Sequence, residues 1–265
     1  MVNVAPSSTR LLLTCAVGPN PRPIQYTERL MKAYALKTKA DFVVVRDLYS
    51  HLDEEGKALI DRIQVGRNNN KAYLLKILLV KFYLSHYDQI LWVDDTCFIT
   101  KHCDDIFAQA TDDMSVAGYN EGIHAEFDSH QTDSTIIFHH TRFSIDRLSY
   151  MNTGVMLYNK GLSRIITAAT IEKYQVLLKS PFPQQCFLNY IFQKLRVNLV
   201  FLPEAYNRVL LDCEFNVEGA WRRPEEISKE YLLEDKHCIL HVTGFYRRRE
   251  DIIKYIGSVL DNTIK

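Results

Sequence analysis

Residues 89–99 read Gln-Ile-Leu-Trp-Val-Asp-Asp-Thr-Cys-Phe-Ile, a strand-forming run broken by two adjacent carboxylates, Asp94 and Asp95. A short apolar run bounded in this way reads as a buried central strand. Carboxylates at its carboxyl end lie where open α/β sheets hold their ligand crevice. Burying an unpaired carboxylate is costly, so Asp94 and Asp95 call for a cation, a cluster of donors or water. A strand that simply ends in a solvated turn is the plainer alternative, and the rest of the chain decides between them.

Strands and helices alternate around this run. Arg10–Val17 reads as a first buried strand ending in the turn signal Gly18-Pro19-Asn20-Pro21, Tyr26–Lys37 carries helical spacing, and Asp41–Arg46 is a second strand. That order predicts a right-handed βαβ unit and a parallel sheet. Asn68-Asn69-Asn70 offers caps for a helix from Lys71 to His86 that is apolar nearly all round and therefore buried. Lys76 on that helix either snorkels outward or meets an anion. Asp104-Asp105 opens a short helix, and Met114–Tyr119 is a further strand. The polar, His-bearing stretch 120–148 (His124, His130, His139, His140) lacks the rhythm of a metal pair and reads as a loop or short hairpin facing an acceptor.

The composition narrows the class. With 265 residues, 47% hydrophobic and 24% charged, the chain has surface enough to bury one real core, and no linker or repeat divides it. Lys+Arg and Asp+Glu both number 32, so no basic excess points to nucleic acid. No apolar stretch is long enough for a transmembrane segment, and Met1–Arg10 lacks the blocks of a signal peptide. Six cysteines (Cys15, Cys97, Cys103, Cys186, Cys213, Cys238) form no Cys-x-x-Cys pair and read as reduced core thiols. A cytoplasmic, non-secreted protein is expected.

The second half adds polar residues at strand and helix ends. Tyr150–Asn159 is a strand carrying Asn152 and Gly154; a strand glycine marks close backbone approach, and the Asn152 amide offers both a donor and an acceptor. Helices are expected over Gly161–Tyr174 and Gln184–Lys194, with Gln185 and Asn189 one turn apart on the same face. Val197–Val200 is a strand leading into Phe201–Asn207, and Cys238–Arg247 ends a strand in His241, a Gly244 turn and Arg247. A histidine there suits a metal, and an arginine suits a diphosphate.

Taken in order, these segments resemble glycosyltransferases of the GT-A fold, most closely family 8. The family's Leu-Tyr/Trp-Leu-Asp-x-Asp strand is similar to Leu91–Thr96, its Asn-x-Gly-Val to Asn152–Val155, and its Asp-Gln-x-x-x-Asn to Gln184–Asn189. Its Leu-Pro-x-x-Trp-Asn resembles Leu202–Asn207, and its His-x-x-Gly-x-x-Lys resembles His241–Arg247. The resemblance implies one GT-A-type α/β domain over 1–265, with a Rossmann-like, mostly parallel central sheet flanked by helices. Residues 1–99 would form the nucleotide-binding half, 100–249 the sugar and acceptor half, and 250–265 a C-terminal helix.

It also implies roles. A UDP-sugar donor would lie across the strand ends, with Thr14, Cys15, Ala16 and Tyr26 near base and ribose, and Lys76, Asp94, Asp95, Gly244 and Arg247 toward the diphosphate. Mn²⁺ or Mg²⁺ would be held by Asp94, Asp95, Thr96 and His241. Asn152, Gly154, Gln185 and Asn189 would hold the donor sugar beside Gln184, and the acceptor would be a glycan or glycoprotein.

Two departures stand out. The family's second metal aspartate falls on Thr96, while Asp95 occupies its free middle position. Successive strand residues face opposite ways, so Asp94 and Asp95 act together only where the backbone turns. At Gln184 the family usually carries Asp, and an amide is neither base nor carboxylate nucleophile. A retaining, metal-assisted transfer is expected. An inverting one would need Asp212 or Glu214 as base, and a degenerate sugar-nucleotide-binding protein would need neither. A nucleotidyltransferase would carry a Gly-rich phosphate loop after its first strand, where residues 17–21 hold only Gly18. A phosphatase with a strand-end Asp would need a spacing that Asp94-Asp95-Thr96-Cys97 lacks.

Overall fold

The structure, a computed structural model, describes residues 7–17, 23–66, 69–124, 128–210, 228–243 and 249–261. Strand β1 (Arg10–Cys15), helix α1 (Ile24–Lys37) and strand β2 (Asp41–Val45) form the expected parallel unit, with Leu11–Cys15 paired to Asp41–Val45. Helices α2 (Glu54–Arg62) and α3 (Ala72–Tyr83) lead to β3 (Gln89–Val93), which pairs parallel with the other side of β1. The chain continues through β4 (Cys97–Ile99), β5 (Ser115–Asn120), α4 (Asp128–Thr141), β6 (Met151–Asn159), α5 (Ala168–Lys173) and α6 (Pro183–Lys194). It finishes with β7 (Asn198–Leu202), β8 (Arg208–Leu210), α7 (Lys229–Leu232), β9 (Ile239–Val242) and α8 (Arg249–Asp261).

The main sheet has the order β2-β1-β3-β6-β5-β7, and a smaller one the order β4-β9-β8. In the main sheet β6 alone runs against its neighbours β3 and β5, while β7 is parallel to β5. The carboxyl ends of β1, β3, β5 and β7 therefore share one edge with the start of β6. Mixed α/β sheets gather ligand contacts at such an edge. Along β3, Ile90 and Trp92 face the layer built by α3 and α6, and Leu91 and Val93 face the layer built by α1. Helix α3 lies within the first layer, which is why Leu74, Leu75, Ile77, Leu78, Leu79 and Val80 are all buried. Helix α8 closes a third cluster over β4 and β9 through Ile252, Ile253 and Ile256. Among the described residues no helix is long and apolar enough to cross a membrane.

Several sequence expectations are corrected. The strand expected to end at the two carboxylates does so as β3; what the run does not reveal is that, past the turn at Asp94–Thr96, where Cys97 N–H donates to the Asp94 carbonyl at 3.0 Å, β4 joins the second sheet. Much of the 120–148 stretch is helix α4 rather than a loop or hairpin. Its buried stripe is Ser129, Asp133 and Ile137, one turn apart, so the inner face carries too little apolar signal to reveal a helix. The expected 161–174 helix is a 3₁₀ turn over Lys160–Arg164, then α5, capped by Thr167 Oγ1 accepting from Thr170 N–H at 3.1 Å. Helix α3 begins at Ala72, whose N–H donates to Asn70 Oδ1 at 3.1 Å.

One side chain ties α6 to the start of β6. Asn189 is buried; its Oδ1 accepts from Met151 N–H at 2.7 Å, and its Nδ2 donates to the Met151 carbonyl at 2.9 Å. Both ends of the amide are spent on the backbone of buried Met151. Asn189→Ala should cost about 2–3 kcal/mol of unfolding free energy in a denaturant titration. A loss below about 0.5 kcal/mol would show that Met151 is paired in some other way.

Candidate active site

Asp94 continues the Trp92 side of β3 and so points toward α3. Its Oδ1 accepts from Lys76 Nζ at 2.9 Å and from Trp92 Nε1 at 2.7 Å. Lys76 is 2% exposed, also donates to the Thr153 carbonyl, and stands 4.8 Å from the centre of the Trp92 ring. It therefore does not snorkel. Its anion is Asp94, at the very corner the sequence singled out. Burial pulls the Asp94 pKa upward, but the Lys76 ammonium, His241 and the indole hydrogen bond outweigh it and hold the carboxyl below its usual range. Burial pulls the Lys76 ammonium down, opposed by the same carboxylate.

The turn after β3 provides the backbone bend that the adjacent carboxylates needed. Asp94 N–H donates to the Gly154 carbonyl at 2.8 Å, and the Asp95 carbonyl accepts from buried Thr27 Oγ1 at 2.8 Å. Asp95 is half-buried, whereas Thr96 is 1% exposed and its carbonyl accepts from Val242 N–H at 3.2 Å. Strand β4 then pairs antiparallel with β9, setting Cys97 opposite His241. His241 Nε2 lies 3.8 Å from Asp94 Oδ2, and its Nδ1 lies 2.9 Å from Asn207 Oδ1. Asn207 Nδ2 donates to Asn152 Oδ1 at 2.9 Å, which leaves Asn207 Oδ1 as the acceptor for His241 Nδ1–H. That contact leaves Nε2 as the ring nitrogen facing Asp94. Gly154 makes room for the ring, since a Cβ there would stand 2.1 Å from His241 Cε1.

The amides form a continuous system with a carboxylate at its centre. Asn152 Nδ2 and Gln185 Nε2 donate to Glu121 Oε2 at 2.9 and 3.0 Å, and Ser129 Oγ donates to Glu121 Oε1. Gln185 Oε1 accepts from Thr153 N–H at 3.2 Å, and Gln184 Nε2 donates to Thr153 Oγ1 at 3.0 Å. Asn152 Oδ1 also accepts from Gly154 N–H at 2.8 Å. The structure thus joins Asn152, Gly154, Gln184 and Gln185 to His241, while Asn189 is taken up by Met151. Glu121 and Asn207 were not singled out from the sequence. Glu121 directly follows β5, so the strand-end rule that picked Asp94 applies to it equally. Asn207 closes the quoted Leu202–Asn207 segment.

The end of β1 divides its residues between two layers. Cys15 packs with the α3 layer and faces Asp95, Asp94 and Lys76, and burial pushes its thiol up to about 12. Ala16 faces α1, and Thr14 is fully buried on the same side, its Oγ1 without a hydrogen bond among the described residues. Tyr26 packs into the α8 cluster, next to Gly257. Asp212, Glu214, Gly244 and Arg247 lie outside the described residues.

Neighbouring ligand atoms each ~2.1 Å from an octahedral ion lie ~3 Å apart, so Asp94 Oδ2 and His241 Nε2, at 3.8 Å, would close by under ~1 Å around one. The carboxylate suits Mg²⁺ or Mn²⁺, and the imidazole is the softer of the two donors. Among the described residues no three His, Cys, Asp or Glu side chains form a complete metal cage. The residues fit an ion that takes its remaining ligands from a bound phosphate and water, as Mg²⁺ commonly does.

No protein-family model and no curated protein matches the sequence. Solved structures do match the fold. The galactosyltransferase LgtC in complex with donor and acceptor sugar analogues aligns at TM-score 0.58 and 14% identity, over 94% of this chain and 96% of that one. A glycosyltransferase involved in glycosylation of the major capsid of PBCV-1 aligns at TM-score 0.54 and 14% identity, over 92% and 98%. Mouse xyloside xylosyltransferase 1 aligns at 0.51 and 14%, over 89% and 98%. The fold is that of GT-A-like glycosyltransferases.

The contact between Gly154 and His241 can be measured directly. Gly154→Ala should cost about 1–3 kcal/mol through overpacking, and the cost should nearly vanish in a His241→Ala background. Additive losses in the double-mutant cycle would show that the ring does not fill that space.

Proposed function

We propose that this protein is a glycosyltransferase that moves a sugar from a UDP-sugar to a hydroxyl of a glycan or glycoprotein acceptor, with Mn²⁺ or Mg²⁺ at the Asp94–His241 corner. The observation that carries this reading is the pair of facing ligand atoms, Asp94 Oδ2 and His241 Nε2, 3.8 Å apart at the sheet edge. Its fold context is a chain aligned over about nine-tenths of its length with solved glycosyltransferases.

The chain's own residues have distinct tasks in this reading. Asp94 stays ionised because Lys76 and Trp92 stabilise its charge, and the His241 ring is held in place by Asn207. Asp95 is half-buried and Thr96 is buried, so of the two Asp95 is the one open to ion-bound water. When bound, the ion supplies a Lewis acid that stabilises the charge on the departing diphosphate. Cys15 lines the end of β1 toward the nucleotide, and Arg247 adds charge on the phosphates. Asn152, Gln184 and Gln185 orient the donor sugar through amides whose direction Glu121 and Thr153 set. Glu121 is committed to three donors, Ser129, Asn152 and Gln185, which leaves it the task of orienting the amides.

Because the side chains alone make an incomplete cage, metal and nucleotide should bind cooperatively. Calorimetric titration should show weak Mn²⁺ binding to the free protein and at least ~10-fold tighter UDP binding when Mn²⁺ is present. Asp94→Ala should remove that increment, and the purified protein should hydrolyse at least one UDP-sugar in a Mn²⁺-dependent screen. UDP affinity indifferent to Mn²⁺ in the wild type would remove the metal from the account.

A further inference from the structure

Helix α4 carries a buried carboxylate that the proposed reaction does not use. Asp133 is fully buried, and among the described residues no Lys or Arg pairs with it. Its Oδ2 accepts from Tyr150 O–H at 2.6 Å and its Oδ1 from Ser180 Oγ at 2.5 Å. The Tyr150 oxygen in turn accepts from Gln185 Nε2 at 3.0 Å. Ser180 and Tyr150 alone could be satisfied by a neutral side chain, so a buried carboxylate here needs another explanation.

We propose that Asp133 is a positioning residue that, through Tyr150, reinforces the direction Glu121 and Thr153 give the Gln185 amide at the donor-sugar subsite. The inference rests on the reading of Gln185 given above. Tyr150 has a single hydroxyl proton. With Asp133 ionised, that proton points at the carboxylate, and the oxygen's lone pair faces Gln185 Nε2. Gln185 then keeps its nitrogen toward Glu121 and Tyr150 and its oxygen on Thr153 N–H. Thr153 also carries the hydroxyl that holds Gln184 and the carbonyl that holds Lys76. A protonated Asp133 keeps one acceptor oxygen, but a proton on Oδ2 makes that oxygen a donor to the Tyr150 oxygen. The Tyr150 proton can then turn toward Gln185, where donor would meet donor, and the amide has to move.

The groups facing Asp133 come from four parts of the fold. They are Ser180 before α6, Cys186 on α6, Tyr150 ahead of β6, and Glu121, whose charge opposes ionisation. His130 on α4 touches the Tyr150 ring edge-on at 5.2 Å, and Arg147 and Asp146 act on that histidine. Burial pushes the thiol of Cys186 and the phenol of Tyr150 well above their usual ranges, so both stay protonated donors. Burial likewise raises the Asp133 carboxyl from 3.8 to about 7, only partly offset by the Ser180, Tyr150 and Cys186 hydrogen bonds. The sign follows from the raised value. The folded state prefers protonated Asp133, so its contribution to stability is full below the unfolded value and is lost as pH rises through about 7. Productive orientation of Gln185 runs the other way and improves over the same interval.

The test follows wild type, Asp133→Asn and Tyr150→Phe across about pH 5 to about pH 9. Side-chain amide NMR reports Gln185, identified by the signal missing in Gln185→Leu, and steady-state kinetics report UDP-sugar turnover with Mn²⁺. In the wild type the Gln185 amide should titrate near pH 7 with a matching rise in kcat, while KM for the donor stays level. Both titrations should disappear in Asp133→Asn and in Tyr150→Phe, which keeps the ring and so guards against a folding defect in the first variant. A Gln185 amide indifferent to pH in the wild type, or one that titrates unchanged in Tyr150→Phe, overturns the relay. A titrating amide in a protein without UDP-sugar turnover leaves the relay standing and rejects the reaction.

Discussion

The ion pair between Lys76 and Asp94 is the contact on which the strand-end corner depends. A carboxylate projecting from the end of β3 into the α3 layer would be costly without a cation. The cation comes from the most buried face of the most apolar helix, where Lys76 is 2% exposed. By gripping the Thr153 carbonyl as well, the same ammonium ties α3 to the start of β6. Asp94 therefore keeps its charge in a protein interior, and its second oxygen is directed at His241.

From His241 the order is passed along by amides. Each Asn or Gln has one donor end and one acceptor end, so fixing one partner fixes the direction of the next. Asn207 sets the His241 tautomer, Asn152 sets Asn207, and Glu121 sets both Asn152 and Gln185. A run of neutral groups oriented by a few buried charges is pre-organised, with little reorganisation left when a polar ligand arrives. It also explains the placement of Asn189, which spends its amide on the Met151 backbone and so fixes the strand from which Asn152 and Gly154 project.

Much of this was legible because it follows short-range rules. The βαβ start, the buried α3 helix and the strand ending at Asp94 came from apolar runs and their breaks. The strand glycine, Gly154, marked a close approach, and the structure supplies the neighbour in His241. The polar partners were not legible in the same way. Glu121 and Asn207 lie far from Asp94 in sequence, and only the sheet order brings them to one edge. Helix α4 escaped because a helix that buries Ser129 and Asp133 against polar partners has no apolar stripe to detect. The turn at Asp94–Thr96 depends on the pairing of β4 with β9, a long-range contact that no local pattern encodes.

The central claim is that Asp94 and His241 hold a divalent ion together with a nucleoside diphosphate. An anomalous difference map collected at the manganese edge, from crystals grown with UDP and Mn²⁺, tests it most directly. The account predicts a peak between Asp94 Oδ2 and His241 Nε2, bridged to the diphosphate oxygens. UDP bound at the sheet edge with no anomalous peak between those two atoms would contradict it.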